Sequence, residues 1–223
     1  MTKKSKRKLQ PRTTFIFMII GACIVAQVPL LHTPFSWMQT FFHEISHGLI
    51  AIITGGEIIS IQLNLDGSGL CVSRGGWLFL ITISGYFGAI LWGALIHIIV
   101  SAMKDKNAFL IALLIIGLIS ISLLLWVRDF TTFLVLGITL IPFIIALRSR
   151  SYLIERYFLQ FSGIYILLDA IKTPINLLFI QNRGDDAALA DMTGIPQIFW
   201  VCLWMGTGLL TLWCLYKIQN KRI

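Results

Sequence analysis

Residues 43–47 read His-Glu-Ile-Ser-His, an HExxH pattern. On a helix, side chains four residues apart share one face, so His43 and His47 can offer two imidazoles to one cation. Glu44, beside the first of them, is placed to take a proton from water as a general base. Two imidazoles and one carboxylate suit zinc and leave a fourth position open. The motif supplies only two donors, so the third must come from a distant segment. Asp169, in Leu167-Leu168-Asp169-Ala170, is the first candidate. Pairing with Lys172 three residues on is its plainer use. Asp186, in Gly184-Asp185-Asp186-Ala187, is the alternative, with helix capping as its plainer use.

Of ten acidic residues, only Glu44 and Asp169 sit well inside apolar runs. An ionisable group within a membrane span costs at least about 2.5–3.5 kcal/mol, so each needs a partner or a wet cavity. That the runs are membrane segments follows from composition. The 223 residues are 57% hydrophobic and 13% charged, against about 25% charged in soluble proteins. Mean hydropathy is +0.85. These values exclude a water-soluble enzyme, a disordered chain and a nucleic-acid-binding domain. Lys and Arg number 18 against 10 acids, a net charge of +8, but six of the eighteen fall in the first twelve residues. The excess therefore reads as a tail on the cytoplasmic side, next to anionic lipid. The four cysteines form no CxxC pair and no disulfide framework.

The expected fold is an all-α polytopic membrane protein of about six to seven transmembrane helices, with a small β-hairpin after the HExxH helix. A basic tail, 1–13, precedes a single integral membrane domain, 14–216, and a second basic tail, 217–223, follows. An apolar run, Thr14–Leu31, opens the domain. Pro34 begins the HExxH helix, 35–53, and Gly55-Gly56 ends it. Asp66-Gly67 between β-branched flanks predicts a hairpin over 57–74. Helices follow at about 76–103, 108–126, 130–147, 152–175 and 195–216. Gly85, Ala89 and Gly93 form a small-residue face for close helix packing. His97 reads as a packing histidine, and His32 as an interfacial one.

Positive charge belongs on the cytoplasmic side, which would gather both tails, the Lys104 loop and the Arg148 loop there. Seven full crossings cannot do that. Either an early segment is re-entrant or the Lys104 loop breaks the rule.

Phe42-His43-Glu44-Ile45-Ser46-His47-Gly48 in an apolar helix resembles the intramembrane zinc metalloproteases of the site-2 protease clan, in a compact bacterial and plant branch. The Gly-Gly and hairpin that follow, Ser84-Gly85-Tyr86-Phe87-Gly88, and Asp186-Ala187 with Thr193-Gly194-Ile195-Pro196 are also similar to that branch. The resemblance spans about Phe35 to Trp204. It implies His43 and His47 as zinc ligands, Glu44 as catalytic base, and a later aspartate, Asp169 or Asp186, as third ligand. It further implies hydrolysis of peptide bonds in membrane-protein substrates within the bilayer, by a multi-pass protein of the bacterial plasma membrane. The hairpin's edge could hold an unwound substrate as an added strand. Two other readings stand beside this one: a catalytically inactive scaffold or chaperone that keeps the metal site, and a metal-ion carrier.

Overall fold

A computed structural model describes residues 10–103, 107–149, 151–179 and 184–219. The order is α1 (Pro11–Val25), α2 (Pro29–Ile53), β1 (Glu57–Leu63), β2 (Gly69–Arg74), α3 (Leu78–Ala102), α4 (Phe109–Leu125), α5 (Phe130–Arg148), α6 (Tyr152–Leu177), α7 (Asp185–Thr193) and α8 (Gln197–Gln219). The expected all-α membrane fold with one hairpin is what forms.

Where helices begin differs from the apolar runs. The run 14–31 is not one segment: α1 stops at Val25 and α2 starts at Pro29. A proline disfavours helix in the residue before it and suits the first turn of a new helix. Val28 is accordingly extended, and the two helices meet at 110°. Pro34, expected to open the HExxH helix, lies inside α2 instead. Near a helix start its missing N–H removes only one ladder bond.

Three helices, α3, α5 and α8, are long and apolar enough to cross a membrane alone, and α1 with α2 qualify together as a broken pair. The expected six to seven spans are not confirmed. Among the rest, α4 has 17 residues, and α6 carries Glu155, Arg156, Asp169 and Lys172 among its apolar side chains.

At the hairpin, β1 and β2 pair antiparallel from Leu63↔Gly69 to Glu57↔Arg74, with an irregularity between Ile58 and Ser60. Asp66 accepts hydrogen bonds from the Ser68 N–H and hydroxyl, which hold its carboxyl below the usual range. Gly67, at φ +88°, supplies the left-handed residue that the turn needs. The outer edge of β1 is closed by the α4–α5 junction. Ile61 N–H donates to the Trp126 carbonyl, and Leu63 N–H to the Thr132 hydroxyl. Asp129 caps α5 by accepting from Thr132 N–H.

Packing places α3 at the centre, against α2, α6 and α8. At its crossing with α6 the backbones nearly touch, because Gly93 and Gly163 face one another. A Cβ on Gly93 would lie 2.7 Å from the Gly163 carbonyl oxygen, and the reverse distance is also 2.7 Å. The small-residue face read from the sequence is thus a helix contact. Replacing Gly93 with Val should destabilise the protein by about 1–3 kcal/mol through overpacking. A thermal melt in detergent, with and without the substitution, measures this; an unchanged midpoint would contradict the crossing.

Candidate metal centre

The motif sits in the C-terminal half of α2, which packs on two partners at once. Both contacts depend on missing side chains. Toward the hairpin, a Cβ on Gly48 would lie 2.4 Å from Ile58 Cδ1, and one on Gly69 would lie 2.6 Å from Glu44 Oε1. Toward α3, a Cβ on Gly88 would lie 2.1 Å from the Ser46 hydroxyl oxygen. One on Gly85 would lie 2.5 Å from Nε2 of both His43 and His47. Glycine at 85 is what leaves room beside the two ring nitrogens.

Second contacts fix the two rings. His47 Nδ1 is 2.6 Å from the Ile81 carbonyl oxygen. That oxygen can only accept, so Nδ1 carries a proton, and on a neutral ring Nε2 presents a lone pair. The His43 ring meets the Tyr86 ring edge-on at 4.4 Å between centroids. Tyr86 is backed in turn by Trp204, at 4.8 Å, whose indole N–H donates to the Ile83 carbonyl.

Asp185 completes the group. Its Oδ2 is 3.1 Å from His43 Nε2 and 3.3 Å from His47 Nε2, and the two nitrogens are 3.0 Å apart. Among the described residues, His43, His47 and Asp185 are the group able to hold one ion. The triangle fits a tetrahedral metal with donors at about 2.0–2.1 Å, whose edges are about 3.3 Å. The donor types fit as well. On the neutral ring a lone pair on His47 Nε2 faces a carboxylate oxygen, another acceptor, so this 3.3 Å contact calls for a shared proton or a cation between the two. Asp185 Oδ2 and His43 Nδ1 are also buried without a hydrogen-bond partner. Burial around Asp185 would raise its carboxyl, but its contacts with the His43 and His47 rings hold it well below the usual range.

Glu44 projects from the neighbouring face of α2. It is buried, 5% exposed, with its carboxylate against Gly69 of β2 and within electrostatic reach of His43, His47 and Asp185. The sequence-predicted His43, Glu44 and His47 therefore lie together. Asp169 and Asp186 lie outside the donor group. Asp169 is buried on α6, where the charges of His32 and Lys172 reach it. Tyr165, one turn before it, is hydrogen-bonded to His32. Asp186 is turned back onto the first turn of α7, bonding its own and the Ala187 backbone. Burial pushes its carboxyl up. Asp185 went unnoticed in the sequence because it stands in a polar stretch, where an acid needs no special explanation. The signal that could have found it is the Asp-Asp pair itself: adjacent residues on a helix point about 100° apart, so one of them can cap while the other faces inward.

His97, expected to be a packing histidine, is buried between α3 and α6 and α8, with Nδ1 3.3 Å from the Gln160 carbonyl oxygen and Nε2 3.0 Å from the Gln219 amide nitrogen.

A family model described as Peptidase M50B-like matches residues 15–216. No curated protein matches, and no solved structure does.

Metal content of the purified protein discriminates between the three aspartates. Asp185→Asn should weaken metal binding by more than about 100-fold, and Gly85→Ala should do the same by filling the space beside the rings. Asp169→Asn should leave the content unchanged. Loss of metal in Asp169→Asn with retention in Asp185→Asn would reverse the assignment.

Proposed function

The chain belongs to the Peptidase M50B-like family, the site-2 protease family of intramembrane zinc metalloproteases, and from this premise we propose that it hydrolyses peptide bonds of membrane-protein substrates at the His43–His47–Asp185 centre. The observation that carries the reading is the close triangle of His43, His47 and Asp185 ligand atoms with a buried carboxylate, Glu44, beside it. His43, His47 and Asp185 would hold zinc, which when bound would supply Lewis acidity.

The remaining work falls to the protein's own groups. Glu44 accepts a proton from the attacking water and passes it to the leaving amine, the two halves of general acid–base catalysis. Its place between the donor group and β2 puts it where a substrate strand would run. The outer edge of β1 is already occupied by Trp126 and Thr132. The other edge of the hairpin belongs to β2, whose Gly69 lies against Glu44. An extended peptide added to β2 would bring its carbonyls past that carboxylate. Strand addition also solves a problem of the medium, since a helical substrate hides its carbonyls and an unwound one needs partners within the lipid. Tyr86 and the Ile81 carbonyl hold the rings in orientation.

Glu44→Gln keeps the shape of the side chain and removes its basicity. Cleavage of a membrane-protein substrate by the purified, metal-loaded protein should fall about 10²–10⁴-fold, with metal content unchanged. Equal cleavage by wild type and Glu44→Gln would contradict the assignment of the base.

A further inference from the structure

When water adds to an amide, the carbonyl π pair moves onto oxygen, and in a medium of low polarity fixed donors stabilise that charge. Most donors packed around the metal centre are already committed. His47 Nδ1 faces the Ile81 carbonyl, and the Trp204 indole N–H donates to the Ile83 carbonyl. The hydroxyls of Thr40, Ser46 and Ser84 donate to the Gly67, Phe42 and Ile81 carbonyls. His43 Nδ1 and the Trp200 indole nitrogen lack partners but are sealed within the fold.

Tyr86 differs from all of these. Its side chain is buried, 5% exposed, and a buried tyrosine hydroxyl ordinarily finds a partner. This one makes no hydrogen bond among the described residues, and its oxygen, unlike the two sealed nitrogens, borders open space. That space adjoins the metal centre. The ring stands edge-on to His43, and its neighbour Gly85 lies beside both Nε2 atoms. The hydroxyl is within electrostatic reach of Asp185 and Glu44, then of Asp186 and Asp169. Trp204, packed on the ring, fixes its aim.

We propose that the Tyr86 hydroxyl is a catalytic donor, which hydrogen-bonds the oxygen of the scissile carbonyl as that oxygen becomes negative. The assignment rests on the peptidase reading. In the step, the water oxygen bonds to the carbonyl carbon, Glu44 takes the proton that the water gives up, and the π pair becomes a lone pair on the oxyanion. Tyr86 keeps its proton throughout and shares it in a hydrogen bond. When the C–N bond breaks, the oxyanion's pair re-forms the C=O bond, and the nitrogen receives the proton from Glu44. The ground-state carbonyl oxygen carries less charge, so the donor acts mainly on the transition state.

Gln39 is a second buried donor without a hydrogen bond among the described residues. It stands one turn before His43, about 6 Å along α2 on the side away from His47.

Tyr86→Phe removes the hydroxyl and keeps the ring against His43 and Trp204. With a membrane-protein substrate that the metal-loaded wild type cleaves, kcat should fall about 10²–10³-fold, while KM and metal content stay as in wild type. Affinity for a phosphinic peptide, whose tetrahedral phosphorus carries an oxygen that copies the oxyanion, should fall by a comparable factor. A ring that only braces His43 would leave both unchanged. Unchanged kcat, a rise in KM alone, or loss of metal in Tyr86→Phe would overturn the assignment, and a fall in kcat for Gln39→Leu instead would pass the role to that amide. A wild type that cleaves no membrane-protein substrate would count against the peptidase reading, and the assignment would fall with it. A wild type that cleaves, beside an equal Tyr86→Phe, would count against Tyr86 alone.

Discussion

Three side-chain atoms able to donate an electron pair and held about 3 Å apart inside an apolar bundle need a proton or a metal cation shared among them. In water, solvent would screen such a group; within packed helices it does not. The Ile81 carbonyl takes the Nδ1 proton of His47, so on the neutral ring Nε2 is left with a lone pair turned toward Asp185. The arrangement of α2, α3 and α7 is organised around this requirement. Asp185 reaches the rings from the first turn of α7, and the rings are braced by Tyr86 and by the α3 backbone.

What allows the approach is a set of absent side chains. Gly85 and Gly88 let α3 lie against α2, while Gly48 and Gly69 let the hairpin lie against the opposite side. The motif helix is thus clamped between a helix that leaves room beside the ring nitrogens and a strand that borders Glu44. His43 and His47 look one way and Glu44 the other, a consequence of the 100° step between adjacent helical residues. The glycine after the motif, Gly48, serves the hairpin rather than the metal.

Much of this was legible in the chain. HExxH is local, so its geometry follows from one helix, and the Asp66-Gly67 turn is local as well. The small-residue face of α3 showed in its four-residue spacing. Long-range features were less accessible. Which aspartate joins the two histidines depends on how α7 docks, and burial within an apolar run drew attention to Asp169 while Asp185, the one beside them, stands in a polar stretch. Helix boundaries failed at Pro34, where hydropathy and proline agreed on a start that Pro29 takes instead. Apolar runs also do not reveal that the segment before the motif breaks into α1 and α2, which qualify as a span only together.

The central claim is that one zinc ion is held by two imidazoles and a carboxylate. X-ray absorption at the zinc edge, on purified protein in a lipid nanodisc, tests it most directly. The account predicts one zinc per chain, with nitrogen and oxygen neighbours only, at about 2.0–2.1 Å, and an outer-shell pattern of two imidazole rings. A sulfur shell at about 2.3 Å, or no bound metal, would contradict it.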